Sequence, residues 1–235
     1  MFTAPPPKEY DASLKSSTAQ DTHISFIPVS SIAEQYFCEM KVELEYNIGV
    51  IPTESKVEGE LFHNELLAMK RTTLEKLIES IKIRPIYIAR FPLYAEISGL
   101  SIIGIPDAIV FVFERPSFLI ELKTTKGRVD KLWEDQIVQV QLYALLLDNM
   151  GFDCPDLKLI IVKVKRDKPL NEYEKKYFLM ETVKKCIRRD FVEREGVAYH
   201  VLDYSKEEAL SYINFVRDYW LNRREPIPTK RISKC

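Results

Sequence analysis

Two carboxylates and a lysine stand in sequence otherwise suited to a sheet interior: Asp107 in "GIPDAIVFV", and Glu121 with Lys123 in "FLIELKTT". On a strand, residues two apart face the same side, so Leu119, Glu121 and Lys123 share one face while Phe118, Ile120 and Leu122 share the other. A solvated ion pair at a strand end is the plain alternative for "ELK" taken by itself. Asp107 argues beyond it, because the "ERPS" turn folds its strand back onto the one that carries Glu121 and Lys123. Asp107 joins their face only if the register matches odd-numbered residues with odd-numbered ones, for instance Asp107 opposite Lys123 and Glu121 opposite Ile109. A four-residue loop over Glu114–Ser117 gives the other parity. The sequence therefore predicts an odd-length loop, or a bulge near Asp107, where Pro106 already disturbs the ladder.

Carboxylates on diagonal positions of neighbouring strands, roughly 7–8 Å apart at Cα, can converge on one divalent cation. Crowding alone would raise one carboxyl pKa, and a bound Mg²⁺ or Mn²⁺ removes that penalty by keeping both ionised. Such an ion activates a water and neutralises charge developing on a phosphodiester. Lys123 beside it can orient or deprotonate the attacking water, or stabilise the anionic transition state. These residue types at these spacings fit phosphodiester hydrolysis. Further along, Gln139 and Tyr143 lie one helical turn apart with Gln136 three residues earlier, a polar ridge on an apolar helix. The ridge either serves the same centre or is a surface stripe without a role. His63, one turn after Gly59, is either a structural histidine or a ligand.

In chain order, "GELFH" (59–63), "GIPD" (104–107), "ELK" (121–123) and "QVQLY" (139–143) resemble the motifs of the PD-(D/E)xK nuclease superfamily in its RecB-like branch. The resemblance implies a restriction-endonuclease-like α/β core, a mixed central sheet flanked by helices. It implies His63, Asp107, Glu121 and the Leu122 carbonyl as metal ligands, and Lys123 as the catalytic lysine supported by Gln139 and Tyr143. The stretches "SSIAEQYFCEMKVELEY" and "ALSYINFVRDYWLNRREPIPTKRISKC" are similar to the opening and close of the CRISPR-associated Cas exonucleases of the RecB type, in which four cysteines bind a cubane iron–sulfur cluster. Cys38 matches the first cluster ligand and Cys235 the second. The last two have no counterpart, and Glu39 stands where a proline usually follows the first cysteine. Cys154 and Cys186 sit off the pattern and are expected to act as small apolar residues. The family implies a DNA exonuclease acting on single-stranded or free ends with 5′-to-3′ polarity, in CRISPR adaptation beside the CRISPR integrase or in repair. A catalytically silent DNA-binding or interaction subunit on the same fold is the alternative, and it predicts the loss of a motif residue that this chain retains.

The 235 residues, 46% hydrophobic and 29% charged, suit a globular α/β protein. A net charge of −1 excludes a protein that coats nucleic acid with its whole surface, although Lys158–Arg189 holds eleven basic residues against four acids. No apolar run is long enough to span a membrane and no secretory signal is present, so a cytoplasmic location is expected, with the scattered cysteines as thiols or metal ligands before disulfides. Residues 1–25 read as a disordered tail, and 26–235 as a single nuclease domain whose segment 205–235 is a helix plus a partial cysteine-cluster segment. Helices are predicted after a Ser30/Ser31 cap, over Lys56–Lys82, over 131–150 closed by Gly151, and over 171–194. A last helix opens with a Ser205–Glu208 capping box and stops before Pro226. Three or four strands are predicted within 84–125 and one over 157–166. Oligomeric state is not fixed by the sequence.

Overall fold

A computed structural model describes residues 26–49, 69–167, 172–187 and 190–228. In chain order these form β1 (Ile27–Pro28), α1 (Val29–Ile48), α2 (Leu74–Ile83), β2 (Ile86–Ala89), β3 (Leu93–Ile97), β4 (Leu100–Gly104), β5 (Ala108–Val112), β6 (Arg115–Thr125), α3 (Glu134–Asn149), β7 (Lys158–Lys165), α4 (Glu172–Cys186), β8 (Phe191–Arg194), β9 (Val197–Asp203) and α5 (Lys206–Trp220). The strands make two sheets, a small one ordered β1-β4-β3 and a six-stranded one ordered β2-β5-β6-β7-β9-β8. β6 and β7 run parallel, joined through α3 as a strand–helix–strand crossover, and the remaining pairs of the large sheet are antiparallel. The architecture is mixed α/β, consistent with a restriction-endonuclease-like core.

Alternation along β6 divides the protein into two cores. Leu119 joins Ile109, Phe111, Leu159 and Ile161 against α3, whereas Ile120 and Leu122 join Ala108, Val110, Ile160 and Val162 against the α4 side. α3 is apolar on nearly every side, with Val138 through Leu147 all buried, as expected of a helix enclosed between α1, α5 and the sheet. Gly151 follows it with φ +91°, the left-handed conformation that terminates helices.

Several expected elements differ. α1 starts at Val29, so Ser30 and Ser31 sit inside its first turn, and Cys38 breaks the helix with an extended backbone (φ −164°, ψ 108°). The helix expected over Lys56–Lys82 is not continuous: residues 69–73 are non-helical, and α2 begins after Thr73, whose hydroxyl accepts from Lys76 N–H at 3.4 Å. A threonine pair favours a cap over a helix interior there. Residues 84–125 hold five strands shared between the two sheets, not three or four. The helix expected to reach residue 194 ends at Cys186, and β8 and β9 form a hairpin through Glu195 and Gly196 at φ 51° and 80°. α5 begins as expected, with Ser205 Oγ accepting from Glu208 N–H, but the Ser205 amide goes to Gln141 Oε1 at 3.1 Å rather than back to Glu208. The tail 1–25, Gly59, His63 and Cys235 lie outside the described residues.

Candidate active site

The β5–β6 hairpin turns at Phe113 and Glu114, both left-handed at φ 47° and 68°, in the two-residue form that suits the twist of paired strands. The expected loop is thus shorter, and Arg115 and Pro116 already belong to β6. Val112 pairs with Arg115 and Phe111 with Pro116, after which Val110 pairs with Phe118, leaving Ser117 as an extra residue in a bulge. That single residue sets the parity. Ile109 then meets Leu119 and Ala108 meets Ile120, so Asp107 comes level with Glu121. The odd-with-odd register is present, while the bulge lies by the turn instead of beside Asp107, and Asp107 stands opposite Glu121, two residues short of Lys123.

Asp107 and Glu121 are 3% and 5% exposed, a burial that charged side chains accept only with partners. Asp107 Oδ2 accepts from the Leu122 amide at 2.8 Å, which ties the end of the β4–β5 connection to β6. The contact at Leu122 is through its N–H, whereas the family resemblance names its carbonyl. Lys123 Nζ donates to Glu121 Oε1 at 3.0 Å and to Gln139 Oε1 at 2.6 Å. The Gln139 amide donates in turn to Glu121 Oε1 and to Tyr143 OH, each at 2.9 Å. The glutamine is therefore fixed in orientation, its oxygen toward the lysine and its nitrogen toward the carboxylate and the phenol. Burial disfavours the Lys123 ammonium, but Glu121, at hydrogen-bond distance, outweighs it and holds the lysine pKa above its usual value. Burial, followed by the charge of Glu121, pushes Tyr143 well above the usual phenol range, so it stays protonated. Gln136, expected on the same ridge, instead accepts from the Trp133 amide at 3.3 Å and serves the start of α3.

Gly104, the first residue of "GIPD", lets Tyr143 come this close. A Cβ on Gly104 would stand 2.4 Å from Tyr143 Cε1, 2.9 Å from Cδ1 and 2.9 Å from Val29 Cγ2. The glycine is required here for space rather than for backbone freedom.

The segment between β6 and α3 is held from below. In the parallel register Lys123 lies beside Lys163 and Glu121 beside Ile161, which pairs with His200 on β9. Lys163 Nζ donates to the Lys131 carbonyl, and His200 Nε2 is 2.8 Å from the Val129 carbonyl. Burial draws both the Lys163 and the His200 pKa down. Both residues carry the same signal that marks Lys123, a polar side chain on an apolar strand; of the two, only Lys163 belongs to the basic stretch Lys158–Arg189. Within that stretch Lys163 is buried, Lys158 pairs with Asp203, and Lys184 pairs with Glu181.

The cysteines depart from the thiol expectation in part. Cys38 is buried and disulfide-bonded. Cys154 and Cys186 are buried free thiols whose pKa values burial pushes up to about 12 and about 11, which leaves them inert, as their off-pattern positions predict. Beside Cys38, Glu39 is 3% exposed and accepts from both Arg224 Nη atoms at 2.7 Å and from the Ile227 amide at 2.6 Å. A carboxylate–guanidinium fork therefore fastens the segment after α5 to α1.

Among the described residues no group of three or more His, Cys, Asp or Glu side chains is placed to hold a metal ion. Asp107 and Glu121 are a pair of buried oxygen donors, a set suited to a hard dication such as Mg²⁺ or Mn²⁺. No helix among the described residues is long and apolar enough to cross a membrane.

No family model matches the chain, and no curated protein matches it. Among solved structures it is similar to the crystal structure of SSO0001, 16% identical over 90% of this chain and 81% of that one, with a TM-score of 0.46. It is also similar to an alkaline exonuclease, LHK-Exo from Laribacter hongkongensis, 12% identical over 85% of this chain and 93% of that one, with a TM-score of 0.35. These are remote likenesses of shape, and the chemistry of the site stands on its own residues.

Proposed function

We propose that the chain is a divalent-metal-dependent deoxyribonuclease that hydrolyses phosphodiester bonds at single-stranded DNA ends, acting as an exonuclease in CRISPR adaptation or DNA repair. The observation that carries this reading is the closed network of Lys123, Glu121, Gln139 and Tyr143 on the sheet face that Asp107 also reaches. Asp107 and Glu121, with His63 and the Leu122 carbonyl in the roles the resemblance gives them, would hold Mg²⁺ or Mn²⁺, which supplies Lewis acidity and an activated water. Lys123 places an ammonium beside the carboxylates, where it orients the nucleophile and offsets negative charge on the phosphoryl group. Gln139 fixes that ammonium, and Tyr143 fixes Gln139.

The test is cleavage of end-labelled single- and double-stranded DNA with Mg²⁺, Mn²⁺ or EDTA, beside Glu121→Ala and Lys123→Met. Metal-dependent products that fall by at least about 10²-fold in both variants are expected, a loss on the scale of one removed charge-stabilising donor, with DNA retention by Lys123→Met nearly unchanged. A folded wild-type protein that retains DNA but cleaves none with either metal is instead a silent binding subunit.

A further inference from the structure

The segment between β6 and α3 leaves the sheet just after Lys123 and returns in the helix that carries Gln139, and those two side chains meet at 2.6 Å. It therefore forms one wall of the candidate site. Within 126–133 only Val129 is buried, and a loop with so little apolar burial is ordinarily loose. This one is held by two buried polar side chains of the sheet, Lys163 on the Lys131 carbonyl and His200 on the Val129 carbonyl. Lys163 is the β7 neighbour of Lys123 and shares its face, on strands about 4.7–4.9 Å apart. The Lys131 backbone is thus one lysine side chain away from the strand position beside Lys123. Burying a lysine costs stability, so the position that it secures matters to the protein.

What the fixed loop presents is Trp133. Its side chain is 37% exposed, and the Lys131 amine stands over its ring, 4.2 Å from the centroid. Its backbone is set at the start of α3, where its amide donates to Gln136 Oε1 at 3.3 Å. Gln139 follows six residues later, roughly 9 Å along the helix axis. Charge does not distinguish the loop, because over 126–135 Lys126, Arg128 and Lys131 are balanced by Asp130, Glu134 and Asp135, and Arg128 pairs with Asp130. The indole is therefore what this wall offers to a strand. Its flat face is the chemistry that recognises an unpaired base, whereas a duplex keeps its bases stacked on one another.

We propose that Trp133 is a base-stacking residue at the rim of the site, on which an unpaired base of single-stranded DNA rests next to the phosphate that meets Asp107 and Glu121. The proposal rests on the nuclease reading for its ligand, and it gives that reading a physical source for a preference for single strands, which none of the motif residues supplies.

The full chain and its Trp133→Ala and Trp133→Phe variants are compared after matched melting curves. Binding of a fluorescently labelled oligothymidylate strand, and of the same strand built entirely of abasic sites, is measured in EDTA and in Ca²⁺ over a salt series, with cleavage in Mg²⁺ alongside. On oligothymidylate, Trp133→Ala should bind about tenfold more weakly than wild type, within the range of one stacked base, and Trp133→Phe should keep most of the affinity. On the abasic strand wild type and Trp133→Ala should bind alike, because no base is there to stack, and this cycle separates stacking from a structural role. The slope of log K against log salt should match between wild type and Trp133→Ala, since no phosphate contact is lost. A folded Trp133→Ala protein with wild-type affinity for oligothymidylate, or with the same tenfold deficit on the abasic strand, overturns the proposal while leaving the nuclease reading intact. If wild type binds oligothymidylate in a Trp133-dependent way but never cleaves, the nuclease reading fails and the stacking site stands. If wild type binds neither strand in either condition, both fail.

Discussion

Gly104→Ala probes the support of the site without touching any group that contacts substrate. The added methyl would stand 2.4 Å from the Tyr143 ring and 2.9 Å from a Val29 methyl, well inside contact distance, with Tyr143 only 5% exposed and unable to swing into solvent. Forcing extra volume into a packed interior costs about 1–3 kcal/mol. For a domain of this size that lowers the melting temperature by roughly 3–10 °C. The larger effect should be on rate. Tyr143 must retreat by an ångström or so, which pulls its hydroxyl from Gln139 and lets the Lys123 contact loosen. A misplacement of that size costs about 10²-fold in rate. The assay is DNA cleavage under saturating Mg²⁺ beside a melting curve, for Gly104→Ala and for Gly104→Ala combined with Tyr143→Leu. The double variant removes the ring that collides, so stability should largely return while activity stays low. Wild-type activity and melting temperature in Gly104→Ala alone would refute the reasoning, because Tyr143 would then have room that the structure denies it.

The Glu39–Arg224 fork makes a second prediction. Glu39→Ala leaves a partly exposed guanidinium with only the Glu225 and Phe215 carbonyls and should cost about 1.5–3 kcal/mol in urea unfolding, with part of the loss recovered in a Glu39→Ala/Arg224→Met protein. A loss below about 1 kcal/mol, the size expected of an exposed pair, would contradict the burial argument. His200 gives a pH signature. Its folded pKa lies below the unfolded value near 6.5, so the unfolded chain binds the extra proton, and this contribution is intact above that pH and lost as pH falls through it. Wild type should therefore lose more melting temperature between pH 7.5 and 5.5 than His200→Gln does. Parallel pH profiles would show that burial does not hold His200 neutral.

Much of the site was legible because strands and helices impose strict periods. The two-residue spacing of Glu121 and Lys123 fixed a shared face whatever the surroundings, and the four-residue spacing of Gln139 and Tyr143 fixed a shared ridge. Parity alone required an irregularity between Asp107 and Glu121. Its location was not legible, since "FERPS" suits a four-residue loop as well as a two-residue turn with a bulge, and only the packing of Phe111 and Val112 into the sheet decides. The β8–β9 hairpin went unread because "RRDFVER" continues a helical pattern, although Glu195-Gly196 before "VAYHV" is a turn signal. The roles of Lys163 and His200 were not legible for another reason: each acts through a backbone carbonyl on the segment between β6 and α3, far away in the chain, and no local spacing announces such a partner.

The extra residue at Ser117 has a bearing on how such a chain can drift over evolutionary time. Hairpin tips are ordinarily where insertions and deletions do least harm. Here, losing one residue between Glu114 and Phe118 would leave the turn and the ladder intact and rotate everything beyond by half a pleat. Glu121 and Lys123 would turn toward the α4 side, while Ile120 and Leu122 would face Gln139. Substitutions at Ser117 itself should be nearly neutral, since its hydroxyl makes only a local bond to the Arg115 carbonyl at 3.3 Å. Among descendants of this sequence, position 117 should thus vary freely in residue type and almost never in count.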